Sequence, residues 1–290
     1  RFGRLLRRRW PVFAATAAVL TLAVAFTWQL AIERDRAINA EREALVQART
    51  AEQVSEFLVS VFNVSNPKSK QDRTISAREV LDQGAERIEA ELADAPKVKA
   101  RLMEVLGTAY RYIGESARAV EFLSQAAILY MDQRVQQPLS SANALSALAV
   151  FYSNNKYPVS KAEAAALEAL RLREEFAEPD SLPIADAMNP LAIVRQSQDR
   201  FDEAESLLLQ SLAIRKRLAG VESKQVASNL HNLARNYHLS GKDTDKAIIY
   251  LQQALDIKRK RGGERDPDFE VSQGDMGKIL RDSRKWEQAY

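Results

Sequence analysis

The chain contains no cysteine, which removes disulfides, thiolate metal sites and cysteine nucleophiles together. Its two histidines, His231 and His238, are seven residues apart. On a helix that spacing is two turns, about 10 Å of rise, too far for both to hold one metal ion, and no carboxylate spacing completes a site. Glycine is scarce, at 10 residues in 290. No run of β-branched residues keeps a period of two, so nothing reads as a strand. Nucleotide-loop, metalloprotease and serine-hydrolase motifs (G-x-x-x-x-G-K-[ST], H-E-x-x-H, G-x-S-x-G) are missing, as are a phosphate-covering glycine-rich loop, H-R-D and D-F-G. The acid pairs Glu174–Glu175 and Glu203/Glu205 read as solvated helix faces. No catalytic, cofactor-binding or metal-binding residue is expected in this chain. What is abundant is Ala, Leu, Glu, Arg and Gln, which favour helix, so the expected class is all-α.

The net charge of +3 comes from one end. Arg1, Arg4, Arg7, Arg8 and Arg9 take five of the 42 basic residues, and the remaining 37 face 39 acids, a balance of −2. A nucleic-acid-binding domain keeps a basic surface on its folded part, so no nucleic-acid partner is expected. After this basic segment (1–9), residues 10–32 carry no charge. At ~1.5 Å per residue they cover about 34 Å, enough for a hydrocarbon core of ~30 Å. Trp10 and Trp28 lie near its ends and, with Arg7, Arg8 and Arg9, fit a membrane interface. A transmembrane helix is the expectation; a cleaved signal peptide and a buried helix of a soluble protein are the alternatives. The arginine excess puts the N-terminus in the cytoplasm and everything after Ile32 outside it.

Residues 33–62 read as a polar helical stalk. Ile38, Leu45 and Val54 hint at a seam that fails at Glu41 and Glu52, so a solvated stalk and a homodimeric coiled coil through stalk and span both fit. Residues 63–96 then read as a loop and a lead-in helix. "NVSNPKSKQDRT" breaks the helix, Ser76 with Glu79 forms a capping box that restarts one, and Pro96 marks its stop.

From residue 97 onward the chain is periodic. Apolar and small residues recur as Met103, Leu106, Gly107, Tyr110; as Leu145, Leu148, Ala149, Tyr152; as Met188, Leu191, Ala192, Arg195; as Leu230, Leu233, Ala234, Tyr237; and last as Met276, Gly277, Leu280. The small residues are spaced by 42, 43, 42 and 43. A second small position, Ala119, Ala162, Ala204, Ala247 and Ala289, keeps spacings of 43, 42, 43 and 42. Residues three and four apart share a helix face, and a small one there admits a second helix at close range. The pattern is that of a helix-hairpin solenoid, in which each hairpin leaves an apolar face for the next to cover. "LAIRKRLAG" and "ALDIKRKRGG" end second helices in basic turns followed by glycine. Pro190 falls inside a first helix and should kink it, and Arg195 takes an aromatic slot, so the third repeat is expected to be distorted.

"LHNLARNYHLSGKDTDKAIIYLQQALDIKRK" resembles a tetratricopeptide repeat of the longer kinesin-light-chain kind, over residues 97–290, about four and a half repeats that break off within a second helix. The resemblance implies that first helices line a concave face that takes a polypeptide ligand. Transferring the repeat register gives candidate groove residues Arg101, Glu104, Thr108 and Arg111, then Asn143, Ser146 and Ser153, then Asn189 and Gln196, then His231, Asn232, Arg235 and His238. Asn and Arg can bond a peptide backbone or carboxylate.

The order of parts adds a second resemblance. "EFLVSVFNVSNP", "AREVLDQGAERIEAEL" and "VLGTAYRYIG" resemble the C-terminal half of bacterial membrane-bound serine/threonine protein kinases. It implies a kinase domain before Arg1, with ATP and Mg needed only there, and places this chain as the sensor or docking half. The implied location is the bacterial inner membrane, single-pass, with lipid as a partner and the repeats periplasmic. A membrane-tethered repeat scaffold not attached to a kinase is the other reading.

Overall fold

A computed structural model of the chain describes residues 2–64, 76–132, 135–155, 157–263 and 267–287, with the side chains of 2–19, 21–23, 36, 39, 40, 42, 43, 62–64 and 284–287 outside the described set. All regular structure among these residues is helical. The chain divides into two compact units, Arg1–Ser60 and Val61–Tyr290.

The first unit lies on one helix, α1 (Phe2–Val64). Its described apolar side chains Leu20, Val24, Phe26, Trp28, Leu30 and Ile32 are exposed. The expected transmembrane helix at 10–32 is not supported: among the described residues no helix is long and apolar enough to cross a membrane. Of the run 10–32, the side chains of 10–19 and 21–23 lie outside the described set, and the described remainder, Leu20 and Val24–Ile32, is followed directly by Glu33, Arg34 and Asp35. The side chains of Arg7, Arg8, Arg9 and Trp10 lie outside the described set, and Trp28 is an exposed residue of α1.

The second unit opens with α2 (Ala77–Glu91). Its capping box is formed: the Glu79 amide donates to Ser76 Oγ at 3.2 Å and the Ser76 amide to Glu79 Oε2 at 3.0 Å. The helix stops at Glu91, and Pro96 opens the next helix, where a missing N–H costs nothing. Four hairpins follow: α3 (Pro96–Tyr112) with α4 (Ser116–Met131), α5 (Pro138–Asn154) with α6 (Val159–Phe176), α7 (Leu182–Ser197) with α8 (Phe201–Ala219), and α9 (Lys224–Ser240) with α10 (Thr244–Gly262). The last described helix, α11 (Pro267–Glu287), packs on α10.

The periodic small residues are what close each hairpin. Ala149, Ala162, Ala192, Ala204, Ala234 and Ala247 are all wholly buried. Gly107 sits closest of all: a Cβ there would lie 2.8 Å from Leu123 Cγ and 2.9 Å from the Leu123 backbone nitrogen. Leu148, Leu191 and Leu233 fill the same layer of successive hairpins, each contributing about 1.5–3 kcal/mol by burial. Second helices end as the sequence suggests, with basic last turns before Gly220 (φ 87°) and Gly263 (φ 74°), conformations that a Cβ would strain.

Hairpins stack through α4 on α5, α6 on α7 and α8 on α9. First helices also meet directly, α5 on α7 and α7 on α9, which puts them on the short, inner side of the stack. Helix α7 runs on through Pro190 to Ser197. The missing Pro190 N–H falls on the Asp186 carbonyl four residues earlier, and the neighbouring Ala185 carbonyl accepts from two side chains of α8, Ser211 Oγ at 2.8 Å and Arg215 Nη2 at 3.4 Å.

Candidate functional site

Two ladders of polar contacts fix the first helices. One uses the slot of the repeat that usually holds an aromatic residue. Tyr110 donates to Asp82 Oδ1 of α2 at 2.7 Å, and Tyr237 donates to Glu205 Oε1 of α8 at 2.5 Å. Arg195 occupies the same slot on α7 and reaches Glu163 of α6, at the position equivalent to Glu205, and Gln198 Oε1 at 2.8 Å. The arginine thus does the tyrosine's task, bonding a carboxylate of the preceding hairpin. Burial, then the Asp82 bond, pushes the Tyr110 hydroxyl up to about 12. The Arg195 bond holds the Glu163 carboxyl below its usual range.

The second ladder was not recognised from the sequence. Tyr130, Arg173, Arg215 and Lys258 share one register of the second helices, spaced by 43, 42 and 43. Each crosses to a first helix. Tyr130 donates to Glu104 Oε2 at 2.6 Å. Arg173 donates to Asn143 Oδ1 at 2.7 Å and Ser146 Oγ at 2.9 Å. Arg215 donates to Asp186 Oδ1 at 2.7 Å and to the Gln225 carbonyl at 3.0 Å. Lys258 donates to Ser272 Oγ at 2.6 Å and the Asp268 carbonyl at 2.9 Å. Burial lowers the pKa of both Arg173 and Arg215, whose side chains are almost closed off from solvent. They are clips within the stack, and a ligand would meet the side chains they orient.

The candidate groove residues fall into three groups. Arg101, Asn143 and Arg235 are exposed. Arg101 pairs with Glu104 at 2.6 Å, and Asn143 is held by Arg173. Glu104, Thr108, Arg111, Ser146, Ser153, His231, Asn232 and His238 are half-buried. Arg111 lies 4.7 Å from the Tyr112 ring centroid, and Ser153 donates to the Ala149 carbonyl at 3.0 Å. Asn189 and Gln196 are buried between α7 and α9: Asn189 Oδ1 accepts from Asn229 Nδ2 at 3.0 Å, and Gln196 Nε2 donates to the Asn232 carbonyl at 3.2 Å. These two serve the helix–helix seam.

His231 and His238 each face an aspartate of α11: His231 Nε2 is 3.4 Å from Asp275 Oδ2, and His238 Nε2 is 3.5 Å from Asp282 Oδ2. Nδ1 of His231 is 3.0 Å from Ser272 Oγ. Serine, histidine and aspartate so arranged suggest a hydrolytic triad, but Ser272 is 0% exposed and offers no nucleophile to a substrate. Burial first, then Lys258, pushes the His231 imidazole down to about 4. No group of three or more His, Asp or Glu able to hold a metal is found among the described residues.

Residues 140–217 and 183–260 match the sequence profile of the family described as tetratricopeptide repeat, so this part of the chain carries such repeats. Among solved structures, BtubC (BKLC) from P. vanneervenii is similar with a TM-score of 0.58 and 23% identity over 74% of this chain and 87% of that one. A putative kinesin light chain from Podosopora anserina, with nearly identical TPR-like repeats, gives a TM-score of 0.50 and 23% identity over 67% of this chain and 90% of that one. At such identity these show the fold, a helical-hairpin repeat solenoid.

Among curated proteins, clustered mitochondria protein homologs of Emericella nidulans and Aspergillus oryzae are 27% and 26% identical over 129 residues, 42% of this chain. The chain spans about a tenth of the length of these relatives. The expected location, single-pass in a bacterial inner membrane with a cytoplasmic N-terminus, lipid contact and periplasmic repeats, is corrected. No described helix is long and apolar enough to cross a membrane, and the similar named proteins are these homologs. The similarities cover repeats and give no support to a kinase part.

Proposed function

We propose that the hairpin stack is a protein-docking module whose contact surface is the row of first helices α3, α5, α7 and α9. The observation behind this reading is the arrangement of α5, α7 and α9, which meet on the inner side of the stack while second helices clip their polar side chains in place. Holding Asn143 and Ser146 through Arg173 reduces the side-chain entropy lost when a peptide binds. Exposed Arg235 and half-buried Asn232, His238 and Ser153 offer further donors and acceptors. Docking needs no cofactor.

The parent of the module, in this reading, is a serine/threonine protein kinase, with ATP and Mg used only by its catalytic part. The segments "EFLVSVFNVSNP" and "AREVLDQGAERIEAEL" support it, because repeats alone occur in many unrelated proteins and these lead-in segments are more specific. The coding sequence upstream of Arg1 tests it. A glycine-rich loop, H-R-D and D-F-G there select the kinase parent; their absence selects a repeat scaffold without a kinase.

A further inference from the structure

Both histidines of the chain lie on α9, seven residues apart, and both face aspartates of α11 that are also seven apart. No other helix junction in the described stack is built this way. We propose that acid releases the last described helix, α11, from α9 and α10, with His231 as the group whose protonation breaks the contact. The release is independent of which polypeptide the inner face holds.

The charge inventory around His231 carries the argument. From its own helix comes Arg235. From α10 comes Lys258, whose ammonium donates to Ser272 Oγ at 2.6 Å. From α11 come Asp268 and Asp275, and each is already paired: Lys224 is 2.9 Å from Asp268 Oδ2, and Lys278 is 2.8 Å from Asp275 Oδ1. Helix α7 meets α9 through neutral amides, Asn189 at Asn229 and Gln196 at the Asn232 carbonyl. Helix α8 meets α9 elsewhere, through Glu205 at Tyr237 and Arg215 at the Gln225 carbonyl. Four cations therefore surround two acids before any proton is added.

A second ring proton makes both imidazole nitrogens donors. Ser272 Oγ, 3.0 Å from Nδ1, accepts from Lys258 and donates to the Asp268 carbonyl at 3.1 Å, so Nδ1 donates to it in the neutral ring. The added proton sits on Nε2, and the whole imidazole becomes a cation beside the Lys258 ammonium. Two cations would share one oxygen on a side chain with no exposure to water. Asp275, 3.4 Å from Nε2, offsets part of this, but Lys278 competes for it. Undocking α11 lets the imidazolium hydrate. It also uncovers Phe269 and Ile279, which are 2% exposed when docked, and the apolar layer of Ala234, Tyr237, Ala247 and Leu251 beneath Ile279.

The sign follows from linkage. The folded-state pKa of about 4 lies below the ordinary 6.5, so docking is fully supported above pH 6.5 and is weakened as pH falls towards 4. Between pH 7 and 4.5 that difference weakens docking by roughly sixtyfold. Hydrogen exchange by mass spectrometry on the whole chain, corrected for intrinsic rates, reads it. Protection of α11 amides should fall by that factor while α8 amides keep theirs. His231→Asn, which cannot gain a charge, should remove the loss, and His238→Asn should keep it. If His231→Asn is undocked already at pH 7.5, Lys258→Met is the substitute, and it should shrink the loss. Wild-type α11 protection that stays flat relative to α8 overturns the proposal. So does a loss that survives His231→Asn, or one that Lys258→Met leaves unchanged.

Discussion

Replacing Arg195 by Tyr should be nearly harmless, whereas replacing it by Ala should not. Arg195 sits in the aromatic slot of the third repeat, 10% exposed at the side chain, against Glu163 at 30%. Truncation to Ala removes its bonds to Glu163 and Gln198. Breaking a fully buried pair costs about 3–5 kcal/mol. Here Glu163 can rehydrate and keeps Gln198 Nε2 at 2.9 Å, so about 2–3 kcal/mol is expected. At about 2–4 °C per kcal/mol for a unit of this size, the melting temperature should drop by roughly 5–10 °C. Tyrosine can instead copy Tyr237, whose hydroxyl donates to Glu205 at the equivalent position of the next hairpin. Arg195→Tyr should then lie within about 1 kcal/mol of wild type, since it restores a donor to the same carboxylate. Thermal unfolding followed by circular dichroism, with Arg195→Ala and Arg195→Tyr side by side, decides it. Equal losses in the two variants would refute the claim that the slot is defined by the carboxylate it bonds.

Three further outcomes follow from the packing. Gly107→Ala should destabilise by roughly 1–3 kcal/mol in chemical unfolding, because the new methyl meets the Leu123 backbone nitrogen at 2.9 Å and not only a side chain that can move. Ala234→Leu, at a wholly buried position, should cost a similar roughly 1–3 kcal/mol, and an unchanged denaturation midpoint would count against the repeat register. Ser76→Ala removes the acceptor for the Glu79 amide and should cost about 1 kcal/mol, seen as faster hydrogen exchange in the first turn of α2.

The repeat was legible because its signal is steric. A helix hairpin tolerates only small residues at its closest point, so Gly107, Ala149, Ala192 and Ala234 mark the period whatever surrounds them. Arg195 was misread as a sign of distortion because its partner lies 32 residues earlier, on another hairpin, and a slot defined by sequence type hides the carboxylate that defines it physically. The Tyr130, Arg173, Arg215 and Lys258 ladder was hidden for a related reason. A basic residue near the end of a helix is ordinary, and only the shared register, read together with its crossing to the first helix, gives it meaning. Pro190 was expected to kink α7, and the helix runs unbroken through it from Leu182 to Ser197. The run 10–32 was read as a span from its length, its flanking arginines and its tryptophans, and among the described residues no helix is long and apolar enough to cross a membrane. Groove residues were named from register, which finds the correct helix face; it cannot separate Asn143, held at the surface, from Asn189, buried in the α7–α9 seam.

The inner first-helix row is the central claim, and a displayed random-peptide library selected on the whole chain tests it most directly. Selected peptides should lose at least tenfold in affinity for Arg235→Ala and for Asn143→Ala, both exposed on that row. They should bind unchanged to Leu167→Ser, which alters an exposed position on second helix α6. Peptides that bind the row variants as well as wild type, or that lose affinity for Leu167→Ser instead, would contradict the account.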